Sequence, residues 1–521
     1  MCWGLGSLLP SAGPREESPA VRGKCREATK GDGPRKGRAA PVAGAGAGSP
    51  SLQEGRTLKK SKETDLGHDS IGRLLFRLAV PAVTAQLVNM LYNIVDRMYI
   101  GHIEGIGAAA LTGVGVTFPI IMIISAFSAL IGMGGAPRAS IKMGQGDYDG
   151  AEETLGNCFI VLVGISVMLT AVFLAFRRPL LLMFGASEAT LPYADEYLAI
   201  YVCGTIFVQI SLGMNYFISS QGYATAGMLT VLIGAVTNIV LDPIFIFTFG
   251  MGVRGAALAT VISQAVSAVW VMIFLIRKSR LRVRPKYFRV RKNIILPALA
   301  LGVSPFIMQS TESLLNIAFN SSLQTYGGDL AVGAMTILSS LMQILNMPLM
   351  GITQGAQPII SFNYGAQNTD RVRKAFKLCI LCTVGYSTLF WLLAMLIPGT
   401  LVSIFNSDPE LMNITVWAMR IYFATVLLMG LQTGCQQTFI AIGQAKSSLF
   451  LALLRKIILL IPLIYILPNF FTDKVFAVFL AEPISDTIAV LCTVSLFAYQ
   501  FRKILSQMEA RKKEPTPPSA A

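Results

Sequence analysis

From Leu74 onward the chain is a succession of apolar stretches, each about 20 residues or longer, separated by short polar joints. Stretches of that length and character read as membrane-spanning helices, because a helix satisfies its own backbone hydrogen bonds where no water is available. Twelve are expected, over residues 74–98, 107–137, 154–177, 191–220, 226–249, 255–276, 294–325, 330–361, 375–400, 411–441, 447–469 and 475–501. Several exceed what a hydrocarbon core of about 30 Å needs, so they are expected to tilt or to project beyond it.

Composition agrees. Only 14% of residues are charged, against about a quarter in a soluble domain, which sets aside soluble enzymes and nucleic-acid-binding domains. The net charge of +15 must then follow from where the charges sit. If the N-terminus is cytoplasmic, the inner loops collect Arg138, Lys142, Arg371, Arg373, Lys374 and Lys377, while the outer joints hold little beyond Arg177, Arg178, Arg254 and Lys474. The expectation is a multi-pass protein of the plasma (inner) membrane with both termini cytoplasmic.

Residues 1–62 are rich in Gly, Pro, Ala, Lys and Arg and read as a disordered basic leader. That segment has no interleaved aromatics, so no nucleic-acid partner is expected. Residues 63–276 form a first lobe, 277–293 a basic cytoplasmic linker (RKSRLRVRPKYFRVRK over 277–292), 294–505 a second lobe, and 506–521 a cytoplasmic tail. The linker reads as a segment that fixes orientation, with anionic-lipid contact as the functional alternative.

The two groups of six spans resemble each other. Adding 221 to a position in the first half carries Pro137 to Pro358, Gly144 to Gly365, Phe184 to Phe405, Tyr201 to Tyr422 and Gly222 to Gly443. An even number of spans inserts both halves with the same orientation, so they are related by a pseudo-two-fold axis along the membrane normal. Two parallel lobes around a central cavity is an arrangement suited to alternating access. Two complete lobes in one chain suffice for a transport unit, so a functional monomer is expected.

No GxxxxGK[ST] loop is present, so any active transport must draw on an ion gradient. His68 and His102 cannot assemble a hydrolytic triad or a zinc site, so neither enzymatic activity nor a bound cofactor is expected. The cysteines inside apolar runs, among them Cys379 and Cys382, read as small core hydrophobes.

The informative residues are carboxylates within the spans, where a charge is costly and faces a cavity or a partner. Asp96 lies near the end of span one, beside Arg97 as its possible partner. Asp242 lies well inside span five, with Asn238 one turn earlier on the same face. Pro243 cannot donate to the Ile239 carbonyl, which leaves that oxygen free. A carboxylate, an amide oxygen and a freed carbonyl are hard ligands for Na⁺, and the carboxylate alone suits H⁺. Thr260 on span six can add a hydroxyl. At the corresponding positions of the second half stand Leu463 and Ile464, so the cation site is expected in the first lobe alone. Glu312, Arg420, Glu482 and Asp486 remain as isolated intramembrane charges, each a cavity residue or an interhelical tie.

These residues sit in recognisable surroundings. The segments LAVPAVTAQLVNMLYNIVDRMYIGH, GAPRASIKMGQGDYDGAEETLGN, TNIVLDPIFIF and GVRGAALATVISQ, with GAQPIISFNYGAQN in the second half, together resemble the multidrug and toxic compound extrusion (MATE) family. The wording is closer to its DinF/MepA-like branch than to its NorM-like branch. The resemblance covers roughly residues 70–505 and implies a cation-coupled exporter of small amphipathic, often cationic, drugs, with Na⁺ or H⁺ as the coupling ion. It implies a cation site at Asp96, Asn238, Asp242 and Thr260, a metal site for Na⁺ if coupling is to sodium. Tyr197 and Asn215 are implied as polar residues of the substrate cavity. Glu312 is similar to the span-seven glutamate of the NorM-like branch, but span ten carries Arg420 where that branch has an acid. A lipid-linked oligosaccharide flippase of the same superfamily would line its cavity with several arginines, and this chain offers mainly Arg420. A non-transporting membrane scaffold would need neither paired lobes nor intramembrane carboxylates.

Overall fold

A computed structural model describes residues 65–406 and 408–513. The basic leader over residues 1–62 and the last eight residues of the tail lie outside the described residues. Among the described residues there is no strand. The chain forms α1 (Ile71–Gly101), α2 (Gly107–Gly144), α3 (Tyr148–Met183), α4 (Leu191–Cys203 with Thr205–Ser220), α5 (Ala224–Thr248) and α6 (Gly252–Arg277). A continuous 74-residue run, Lys292–Gly365, follows. At about 1.5 Å per residue it would be several times too long for one crossing. Gly328 divides it, with φ 64° and ψ −160° that a side chain would oppose, giving α7 (292–327) and α8 (329–365). After these come α9 (Thr369–Leu396), α10 (Pro409–Tyr422 with Val426–Ala441), α11 (Ala445–Asn469) and α12 (Lys474–Lys513). The twelve expected spans are therefore present. Helices α4 and α10 are each bent, by 58° and 48°, and α12 continues through the first part of the expected tail.

The internal repeat has a physical counterpart at the junction of the lobes. Gly144 of α2 lies against the Phe362 carbonyl of α8, and Gly365 of α8 lies against the Ile141 carbonyl of α2, so that a Cβ at either glycine would overlap that oxygen. The 221-residue offset exchanges the two contacts, which places the pseudo-two-fold axis between them. The same offset relates Gly134, which abuts Ala298 of α7, to Gly355, which abuts Ala79 of α1. Gly222 and Gly443 both take positive φ, 90° and 79°, at matching turns.

The lobes meet at one end and midway along the bundle. Near the described termini, the buried core of the first lobe takes in Ile295 and Ala298 of α7, and that of the second takes in Leu74, Leu75 and Leu78 of α1. At the opposite end each core is built from its own lobe, around Ile124, Tyr197 and Val202 in the first and Phe319, Tyr422 and Phe479 in the second. Midway, Gln86 donates to Gln354 across the junction at 3.3 Å, and Phe127 packs edge-on against Phe306 at 5.0 Å. The bundle is thus sealed at the end that carries the termini and parted at the other.

Two segments brace the sealed end. Arg371 donates to the carbonyls of Leu66 and Asp69 at 3.1 and 2.7 Å, and Asn363 donates to Leu66 at 2.9 Å, tying the entry to α1 onto the second lobe. Charged hydrogen bonds of this kind contribute about 1.5–3 kcal/mol. Replacing Arg371 by alanine is expected to raise amide hydrogen exchange over residues 66–74 by about 10- to 150-fold. Unchanged protection there would show that Arg371 does not hold the segment.

The basic linker is strapped to the first lobe by acids at the start of α3. Arg284 pairs with Glu152 at 2.9 Å and Arg291 with Glu153 at 2.5 Å, while the Tyr287 hydroxyl donates to Asp149 at 2.7 Å. The Tyr287 hydroxyl and the Lys286 ammonium hold the exposed Asp149 carboxyl below its usual range. At the parted end Arg177 pairs with Asp195 and Arg254 with Glu196, each at 2.7 Å.

Candidate functional site

In the first lobe, α1, α5 and α6 bring Asp96, Asn238, Asp242 and Thr260 together. Asn238 and Asp242 share a face because four residues make about one helical turn. The Asn238 amide donates to Asp242 Oδ1 at 3.1 Å and to Thr260 Oγ1 at 3.4 Å. The Asp96 carboxyl lies near that of Asp242. Asp242 and Asn238 are fully buried, and Thr260 nearly so. Arg97 turns away from Asp96 and lies over the Phe118 ring at 5.2 Å, so the adjacent charges of span one do not form an interface pair.

Three oxygens in this group, Asp96 Oδ1, Asn238 Oδ1 and Asp242 Oδ2, are buried without a partner. Buried polar atoms are ordinarily satisfied, and three orphaned hard oxygens in one place fit a small cation or a shared proton. α5 runs through Pro243 and then widens into a π turn over Ile244–Thr248. π turns recur at functional positions because they re-aim side chains and carbonyls locally.

Tyr197 belongs to the same group. It lies near Thr260, and its ring stacks on Tyr201 at 6.2 Å. Tyr92, one turn before Asp96 on α1, faces both carboxylates and was not singled out from the sequence. Its position on the Asp96 side of α1 was the available signal. Asn215 is not part of this group: it donates to the Gly227 carbonyl at 3.3 Å, about four turns along α5 from Asp242.

The second lobe departs from expectation. Glu312, Glu482 and Asp486 are not isolated, because α11 carries Arg455 and Lys456 between them. Lys456 forms an ion pair with Glu312 of α7. Arg455 pairs with Asp486 at 2.7 Å and more loosely with Glu482 at 3.5 Å, both on α12. A second π turn, Leu454–Leu460, presents these two bases, and Ser485 donates to the Arg455 carbonyl at 2.9 Å. Hydropathy averaged over LLRKIILL conceals the two bases. The signal that points to them is the Glu482–Asp486 pair one turn apart on the neighbouring span, which needs buried cations opposite. Arg420 does not join this cluster; it is exposed and has no ion-pair partner among the described residues. Thus α1, α5 and α6 in the first lobe, and their counterparts α7, α11 and α12 in the second, each hold a polar cluster. The first contains acids alone; the second carries its own cations.

Comparison with known proteins agrees with this architecture. The MatE family model matches residues 81–244 and 305–466, one block in each lobe. The multidrug export protein MepA of Staphylococcus haemolyticus (strain JCSC1435) is 25% identical over 433 residues, covering 82% of this chain and 94% of that protein. A solved MATE in the bent conformation superposes with a TM-score of 0.80 at 23% identity, over 85% of this chain and 98% of that one. An outward-facing multidrug resistance MATE transporter of the MOP superfamily gives 0.79 at 23% identity, over 88% and 100%.

Proposed function

Because the chain belongs to the MatE family, we propose that it exports amphipathic, often cationic compounds across the membrane in exchange for Na⁺ or H⁺. The observation that carries this reading is the buried pair Asp96 and Asp242, with Asn238 and Thr260 beside it and three oxygens left without partners. Two carboxylates buried together without a counter-cation cannot both remain charged at low cost. The pair therefore takes up a proton or an alkali cation, and releases it when the surroundings change.

Alternating access supplies that change. With the bundle parted at the end away from the termini, the coupling ion enters the first-lobe site. α1 and α5, which carry Pro81 and Pro243 within their helices, repack around it, and the substrate is released as its affinity falls. Reciprocity requires substrate binding to weaken ion binding by the same factor. The basic residues gathered at the sealed end support a cytoplasmic N- and C-terminus. The transporter works as a monomer, since both lobes lie in one chain. Arg455 and Lys456 are neutralised by acids, which disfavours a pyrophosphate-linked substrate over a cationic one.

The test is efflux of a fluorescent lipophilic cation from proteoliposomes, with Na⁺ and H⁺ gradients imposed separately. Transport is expected to follow one gradient and thereby name the ion. If neither gradient moves the dye, drug export is the wrong reading and lipid-linked substrates take its place.

A further inference from the structure

The second-lobe cluster sets three carboxylates, Glu312, Glu482 and Asp486, against two cations, Arg455 and Lys456. Each cation has one close partner: Lys456 takes Glu312, and Arg455 takes Asp486 at 2.7 Å. Glu482 is the carboxylate in excess. It is 5% exposed, its Oε1 lies 3.5 Å from an Arg455 already engaged by Asp486, and its Oε2 is buried with no partner at all. An ionised carboxylate so placed is heavily penalised, whereas the neutral acid is not. Among the described residues, the charged groups facing it are Arg455 and Lys456 from α11, Asp486 from α12 and Glu312 from α7, with Tyr422 of α10 beside them.

We propose that Glu482 is a second proton-binding site of this protein, and that a cation docking on Glu312 releases its proton. Glu312 is the open member of the cluster, its side chain 58% exposed, while Lys456 behind it is 8% exposed. A substrate cation that pairs with Glu312 takes the place of the Lys456 ammonium. Lys456 then turns to Glu482, the carboxyl O–H bond breaks, and the proton leaves to water in the opening between the lobes. One positive charge enters the cluster and one leaves, so its charge is unchanged. In the first lobe the exchangeable ion sits directly between acids; here a tethered lysine transmits the exchange. The release step rests on the proposed export of cations, but the proton on Glu482 does not.

The experiment uses infrared absorption of protonated carboxyl groups in the full-length protein near neutral pH. Asp96→Asn with Asp242→Asn serves as the background, so that the first-lobe carboxylates contribute nothing. One protonated-carboxyl band is expected to remain and to disappear on adding Glu482→Gln. Asp486→Asn leaves Glu482 in place but balances two carboxylates with two cations, so it is expected to abolish the band as well. Lys456→Met removes the cation that would turn to Glu482, so the band is expected to persist when tetraphenylphosphonium is added, a retention that misfolding would not mimic. Adding tetraphenylphosphonium to the background protein is expected to remove the band and release one proton per chain. A band that is absent from the background, or survives Glu482→Gln, overturns the site. A band that tetraphenylphosphonium leaves intact overturns the release step. Failure of gradient-driven dye export with the band present would instead overturn the exporter reading and leave the Glu482 proton standing.

Discussion

Replacing Asp242 by asparagine is expected to abolish gradient-driven export while leaving the fold in place. The amide is isosteric with the carboxylate and can accept from Asn238 Nδ2, as Asp242 Oδ1 does at 3.1 Å, so the buried contact between neighbours on α5 survives. What disappears is the second negative charge beside Asp96. A neutral amide does not exchange a proton, and it offers an alkali cation one weak oxygen where a carboxylate offered a charged one. Coupling between ion and substrate, typically about 5- to 150-fold in affinity, should fall to none. Two measurements check this: concentrative dye export in proteoliposomes, and the change in substrate affinity when the coupling ion is added. An Asp242→Asn protein that still expels dye against its gradient would remove the first-lobe site from the mechanism. Asp96→Asn should act in the same direction, because it leaves the same pair with one charge.

The second large effect belongs to the seal between the lobes. Gly144→Val would drive a branched side chain into the Phe362 carbonyl, and Gly365→Val would do the same at the Ile141 carbonyl. Backbone on both sides leaves no flexible side chain to yield. Overpacking of this kind costs about 1–3 kcal/mol or more, enough to shift the balance of open and closed states by about 5- to 150-fold. Spin labels on the two lobes near the terminal end are expected to report a wider distance distribution in either variant, and steady-state export should fall with it. Because the 221-residue offset exchanges the two glycines, the two variants should have similar effects. An unchanged distance distribution would mean that this contact does not hold the lobes together.

The family resemblance and the placement of the first-lobe site were legible in the sequence for different reasons. The segments around Asp96, Asn238, Asp242 and Thr260 carry both a recognisable wording and a chemical oddity, namely acids inside apolar helices. Asn238 and Asp242 meet because helical periodicity alone puts them on one face. That Asp96 and Thr260 arrive at the same point required packing of α1 and α6 against α5, and here the resemblance supplied what spacing could not. The second lobe shows the opposite case. Arg455 and Lys456 occupy a span whose average hydropathy is high, so the window that finds the helix conceals the bases within it. Treating Glu312, Glu482 and Asp486 as isolated followed directly from that omission.

Twelve helices, the break near Gly328 and the equivalence of the two halves were determined by the sequence alone. Each depends on local chemistry: the length of an apolar run, the self-sufficiency of a helical backbone in lipid, and a repeated placement of glycine and proline. Which end of the bundle is sealed, and which buried acids have cations beside them, only the tertiary structure decided. The seal arises where glycines from α2 and α8 let backbones more than two hundred residues apart in sequence touch. The ion pairs join α11 to α7 across 144 residues and α11 to α12 across 31. Contacts at that separation depend on how finished helices tilt and dock, and no spacing along a single helix encodes them.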